Sequence, residues 1–152
     1  MDTREQTPWE IRSEKISDVR VRKLDTGDYT VLGLEDKLCI ERKKSVSEVA
    51  TNVTEKRFER ELERMEAYPH SFLILEFSID DVMAYPVGSN IPKSKWRKIR
   101  VRGPFIMKRL EEIMVRHNVT VVFCGDVDNA QMVGIGIMKR VYEFYNGKNQ
   151  ID

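Results

Sequence analysis

The sequence predicts an α/β domain with a mixed β-sheet flanked by α-helices. Three observations predict it. The first third alternates short β-rich segments with turn residues. Two later runs, Ser71–Phe77 and Thr120–Cys124, are almost continuously apolar, as suits strands buried on both faces. Each run leads on to a segment with apolar residues at helical spacing. At 152 residues the chain fits a single domain, taken as 1–152.

The elements follow in order. Asp2–Glu10 is polar, contains Pro8-Trp9, and reads as a loop or strand end. Val19–Leu24 alternates apolar and charged residues, the period of a half-exposed strand. Asp25-Thr26-Gly27-Asp28 is a turn, Tyr29–Leu34 a second strand, and Glu35-Asp36-Lys37 another turn. Leu38–Arg42 is a third strand, so the three predict an antiparallel meander. Ser45-Val46-Ser47-Glu48 has the form of a capping box and opens a helix of about two turns. Glu55–Tyr68 is a second helix with Phe58, Leu62 and Met65 on one stripe. After the Ser71–Phe77 strand, Phe105–His117 reads as a helix with Ile106, Leu110, Ile113 and Met114 inward. Thr120–Cys124 is a strand and Asp126–Tyr145 the last helix, with Met132, Val133, Ile137 and Val141 apolar. This second half is a βαβα unit and predicts a parallel strand pair.

Composition excludes several classes. An apolar content of 41% supports a buried core and argues against a disordered chain. No run approaches a membrane span, and the charged start gives no sign of a signal peptide, so a cytoplasmic protein is expected. Two cysteines, Cys39 and Cys124, make no disulfide framework and are expected to be core thiols. Net charge is only +1, yet no acid occurs between Asp81 and Glu111. That stretch carries Lys93, Lys95, Arg97, Lys98, Arg100 and Arg102, with Trp96 among them. A neutral total thus conceals a local cationic surface suited to phosphates, although a solvated loop accounts for the same run.

Candidate chemistry lies at the strand ends. A tight hairpin would bring Asp28 close to Glu41. Two carboxylates at one sheet edge are costly unless something neutralises them. Mg²⁺ does so, favouring a few carboxylates together with water and phosphate oxygens. Lys43 stands two residues beyond Glu41, so both side chains point to one face. A cation and a lysine sharing one phosphate would support phosphodiester hydrolysis. A surface salt-bridge network among Asp28, Glu41, Arg42 and Lys43 is the plainer account of the same spacing.

Asp2-Thr-Arg-Glu-Gln, Gly27-Asp28-Tyr29 and Ile40-Glu41-Arg42-Lys43 together resemble the XPF/Mus-type nuclease domain. That family's hallmark is Gly-Asp, a short gap, then Glu-Arg-Lys-x-x-x-Asp. Arg57-Phe58-Glu59-Arg60-Glu61-Leu62 is similar to its Arg-Phe-x-x-Glu-Leu helix, and the resemblance runs from Asp2 to about Tyr145. It implies a restriction-endonuclease-like core. It also implies Mg²⁺-dependent cleavage of DNA, with Mn²⁺ as substitute, at branched or single-/double-strand junctions. By resemblance Asp28 and Glu41 match metal ligands, the Arg42 carbonyl a further ligand, and Lys43 the catalytic lysine. Asp2 matches an acid on the metal side. Arg4 and Arg42 match residues near the phosphate or structuring the site, and Glu5 is a weaker match.

Two departures stand out. The family's last Asp falls on Ser47; either the adjacent Glu48 replaces it in part, or Ser45 and Glu48 simply cap the helix. The family's apolar strand before Asp-x-Arg-Glu is represented here by Met1 alone, so the expectation is a trimmed start or a missing edge strand. The resemblance is to compact phage or prokaryotic versions, for which no helix-hairpin-helix tail is expected. Affinity for DNA is then expected from Lys93–Arg102, from a homodimer or from a partner protein, with Trp96 stacking on a base or sugar. The competing class is a non-catalytic DNA-binding partner of an active nuclease.

Four further readings concern isolated residues. Glu76, alone in an apolar run, needs a partner such as Arg57 or the site itself. His70 and His117 read as surface or turn residues. Gly134 and Gly136 read as places for close helix packing, and Met107, Met114, Met132 and Met138 as core.

Overall fold

The computed structural model describes residues 1–11, 16 and 18–147; the 1–152 domain reading therefore extends past the described residues. Its sheet has three strands, β1 (Leu38–Lys43), β2 (His70–Leu75) and β3 (Thr120–Phe123), in that spatial order. Both pairings are parallel, with Glu41 opposite Leu73 and Leu73 opposite Val121. Helices fill the crossovers: α1 (Val46–Asn52) and α2 (Lys56–Met65) between β1 and β2, and α3 (Ile79–Ala84) and α4 (Gly103–Arg116) between β2 and β3. The final helix, α5, runs Val127–Tyr145.

The pleat sends alternate side chains to two cores. Cys39, Leu73 and Leu75 face a core built with Val49, Phe58, Leu62, Met65, Ile106 and Leu110, from α1, α2 and α4. Leu38, Ile40 and Ile74 face Trp9, Tyr29, Ala130, Met138 and Val141, from the N-terminal segment and α5. The central β2 is covered on both faces, which explains why it reads as an apolar run, while the edge strand β3 is only partly buried.

The α/β class, the later strands and the α2, α4 and α5 helices agree with the sequence reading. The meander does not. Val19–Leu24 forms no strand, and Val19 and Val21 stay exposed. Among the described residues no strand lies beside it; the Met1 carbonyl accepts from Arg22 N–H at 3.0 Å, and alternation alone buries nothing. Tyr29 joins Ile40 in one antiparallel bridge, and that is where the antiparallel part of the sheet stops among the described residues. Thr30 Oγ1 then donates to Leu38 O at 2.7 Å and a turn closes at Val31–Leu34, which draws the chain off the ladder. The short α3 and a 3₁₀ turn at Lys93–Lys98 were not anticipated.

Several single-residue expectations are corrected. Met114 and Met132 are exposed on the outer faces of their helices, Met107 is half-buried, and Met138 is core. Cys39 is fully buried, but Cys124 is only half-buried. His117 is buried, its two ring nitrogens facing Glu66 and Glu59. Gly134 does permit close packing, against the Trp9 ring: a Cβ there would fall within the ring's van der Waals envelope. Gly136 has open space around it.

Gly134→Ala should therefore lower stability by about 1–3 kcal/mol by overpacking against Trp9. Gly136→Ala should be neutral or stabilising by up to ~1 kcal/mol, the helix-propensity gain. Thermal melts of the two variants check the contrast.

Candidate active site

The site forms at the C-terminal end of β1, where open parallel sheets characteristically place ligands. Glu41 and Lys43 lie on the α1/α2 face of the strand, and Arg42 on the opposite one. Gly27 delivers Asp28 to the same place. Its φ of 84° is left-handed, and a Cβ on it would come 2.7 Å from Cys39 Sγ and 3.0 Å from Ile40 O. Only glycine fits that close approach. It lets Asp28 N–H donate to Ile40 O at 2.7 Å, while Asp28 Oδ2 accepts from Arg42 N–H at 2.8 Å.

A cavity of about 320 Å³ opens over these residues, and Asp2, Arg4, Asp28, Glu41, Lys43, Glu48, Asn52, Arg57 and Glu61 are among its lining. The Lys43 ammonium is buried, 3.4 Å from Glu41 and 3.8 Å from Glu48, and lies over the Phe58 ring. Burial works against its charge, but the Glu41, Glu61 and Glu48 carboxylates outweigh burial and hold its pKa above the usual lysine value. Burial pushes Asp28 up to about 6, only partly offset by the Arg42 N–H. Burial first, then the Asp28 and Glu61 charges, push Glu41 well above the usual carboxylate range. Clustered acids of this kind call for positive charge between them.

Among the described residues, no three His, Cys, Asp or Glu side chains are grouped so as to enclose an ion by themselves. The donor set nevertheless suits Mg²⁺ or Mn²⁺: two crowded carboxylates beside open space leave room for water and phosphate oxygens. Asn52 adds a buried Oδ1 that has no hydrogen-bond partner.

Asp2 lines the cavity with both carboxylate oxygens engaged. Oδ1 accepts from Leu24 N–H at 2.9 Å and Oδ2 from Arg4 Nε at 2.6 Å. Burial opposes the Asp2 charge, but these hydrogen bonds prevail and keep its pKa below the usual value. Asp2 N–H also donates to Asp28 O at 2.7 Å, so this loop braces Asp28.

Arg42 holds the opposite face. Its guanidinium binds Glu76 through two nitrogens, at 2.5 and 3.1 Å, and donates to Thr7 O. It packs 5.4 Å from the Trp9 ring centroid, and Trp9 Nε1 donates to Glu76 at 2.9 Å. Glu76 thus finds its partner in Arg42 and not in Arg57. Glu5 joins this cluster, 3.6 Å from Arg42 and 3.0 Å from Lys44, outside the cavity lining.

Ser47 does not line the cavity either. Ser45 Oγ caps α1 by accepting from Glu48 N–H, while the Glu48 carboxylate accepts from Lys44 N–H, pairs with Lys43 and lines the cavity. Lys93, Lys95, Arg97, Lys98, Arg100 and Arg102 are all exposed and lie outside the cavity lining. Trp96 is half-buried, its indole N–H donating to Ile91 O at 2.9 Å. A larger cavity, about 1190 Å³ and lined by Tyr29, Leu38 and Met138 among others, contains neither Asp28 nor Glu41.

The ERCC4 domain family model matches residues 1–132. The chain belongs to that family, the XPF-like nuclease domains. Its fold is similar to XPF from Aeropyrum pernix, with a TM-score of 0.59 and 17% identity, over 80% of this chain and 52% of that one. It is similar also to XPF from Aeropyrum pernix in complex with DNA, with a TM-score of 0.56 and 19% identity, over 87% of this chain and 55% of that one. The chain thus spans about half the length of either structure. No curated protein sequence matches it.

The sequence reading omitted Asn52 and Glu61 from the site. A signal for Glu61 existed. It stands three residues after Phe58 and four before Met65, and so beside the buried stripe of α2. For Asn52 there was none, because its place depends on how α1 packs.

The Arg42–Glu76 pair is buried on both sides. Glu76→Ala should destabilise the fold by about 3–5 kcal/mol, the cost of stranding a buried charge. Urea melts of Glu76→Ala, Arg42→Ala and the double variant check this, and the double should cost far less than the sum.

Proposed function

We propose that the chain is a metal-dependent DNA endonuclease that hydrolyses phosphodiester bonds, selectively at branched or single-/double-strand junction DNA. Membership of the ERCC4 domain family supports the reading. The observation that carries it is the meeting of Asp28, Glu41 and Lys43 at one cavity beside the end of β1.

In this reading Asp28, Glu41 and the Arg42 carbonyl hold Mg²⁺ or Mn²⁺. The cation supplies Lewis acidity that activates water and offsets charge on the phosphate. Lys43 donates from its buried ammonium to the attacking water or to a phosphate oxygen, where negative charge develops. Water adds to phosphorus, and one P–O bond to a sugar oxygen breaks, leaving a phosphate monoester and a hydroxyl group. The exposed Arg4 and Arg57 at the cavity rim bind neighbouring phosphates, while Asp2 fixes Arg4 and the Asp28 loop. Lys93–Arg102 adds contacts to the DNA backbone. Such contacts carry no sequence information, which favours recognition of shape over base sequence.

A second reading, a non-catalytic DNA-binding partner, draws on Ser47 standing where the family has an acid. Cleavage of end-labelled duplex, single-strand, splayed-arm, flap and four-way-junction DNA separates the two. Metal-dependent cleavage that chelator, Glu41→Ala and Lys43→Ala each abolish is the expected outcome, with losses of about 10³-fold or more in each variant. Binding to the same panel without cleavage favours the partner reading.

A further inference from the structure

The cavity has a second wall, formed by α1 and α2. Glu61 lines it from α2, and its carboxylate faces that of Glu41. Asn52 lines it from the C-terminal end of α1, and its Oδ1 is buried without a partner. An orphaned buried oxygen of this kind points to a missing ligand, water or ion. Two carboxylates in contact likewise need a positive charge on their open side.

The geometry points to Glu61, with the Asn52 oxygen beside it, as the group that closes the cation site from the helix side. They take over the duty of the acid absent at position 47. The short Ser47 side chain is not among the cavity lining, and the Glu48 carboxylate, which lines it, is engaged by Lys44 N–H and by Lys43. Glu61 has no such backbone tie among the hydrogen bonds of the described residues and faces both Glu41 and Lys43. An amide oxygen beside a carboxylate is a hard oxygen pair that suits a small divalent cation. This assignment rests on the endonuclease reading and names the residues that make its metal site sufficient despite Ser47.

Mn²⁺ titration of the intact chain without DNA, followed by calorimetry, tests it directly. Glu61→Gln keeps the shape and removes the charge, and should weaken Mn²⁺ binding by about 10-fold or more with melting close to that of the native chain. Ser47→Asp introduced into Glu61→Gln should restore most of the lost affinity, which a purely structural role for Glu61 would not allow. Should Glu61→Gln unfold, Asn52→Ala replaces it, with weaker Mn²⁺ binding again expected. Unchanged Mn²⁺ affinity in the folded Glu61→Gln variant, or in Asn52→Ala used in its place, overturns this inference alone. Absence of Mn²⁺ binding by the native chain overturns both it and the metal-dependent endonuclease reading.

Discussion

Everything at this site depends on three consecutive charged residues buried at the end of one strand. Glu41, Arg42 and Lys43 are 8%, 6% and 5% exposed. Burying even one unpaired charge costs several kcal/mol, so each of the three must be answered by its surroundings. The alternation of β1 divides the task between two faces. Glu41 and Lys43 answer one another over the α1/α2 core, and Arg42 is answered by Glu76 over the α5 core.

That division ties distant parts of the chain to the site. On the Arg42 face, Trp9 stacks on Tyr29 at 4.4 Å, rests against Gly134 and donates to Glu76. Thr7 and Glu5 reach the same guanidinium. The N-terminal segment is thereby anchored to α5, and this anchoring brings Asp2 to the cavity and Asp2 N–H to Asp28 O. On the other face the excess of carboxylates over Lys43 leaves negative potential facing open space. That imbalance is a poor arrangement for stability and a good one for holding a divalent cation. Natural proteins violate local rules in this way at functional sites.

Much of this was legible in the sequence, for identifiable reasons. The Ser71–Phe77 and Thr120–Cys124 runs read as the two later strands and their parallel pairing; β2 is largely buried, whereas β3, at the sheet edge, is only partly buried, against the expectation of burial on both faces. Gly27-Asp28 and Glu41-Arg42-Lys43 are read from residue type and spacing, and the structure brings Gly27, Asp28, Glu41 and Lys43 to one cavity while Arg42 turns to Glu76. The antiparallel meander was illegible because Val19–Leu24 has the right period without a neighbouring strand. Period describes which side chains share a face, and pairing is a tertiary fact. The partner of Glu76 is an arginine, as one of the two readings had it, but Arg42 and not Arg57, because the pleat sends Arg42 toward Glu76 across β1 and β2. Trp9 against Gly134 is a contact between opposite ends of the chain, and no local pattern encodes it.

The central claim is that the charge imbalance at the end of β1 exists to hold a divalent cation. A crystal structure of the chain soaked with Mn²⁺, recorded with anomalous scattering, tests it most directly. The account predicts one strong anomalous peak bounded by Asp28, Glu41 and the Arg42 carbonyl, with Lys43 beside it. A cavity without a peak at saturating Mn²⁺, or a peak bound only by surface carboxylates elsewhere, would contradict it.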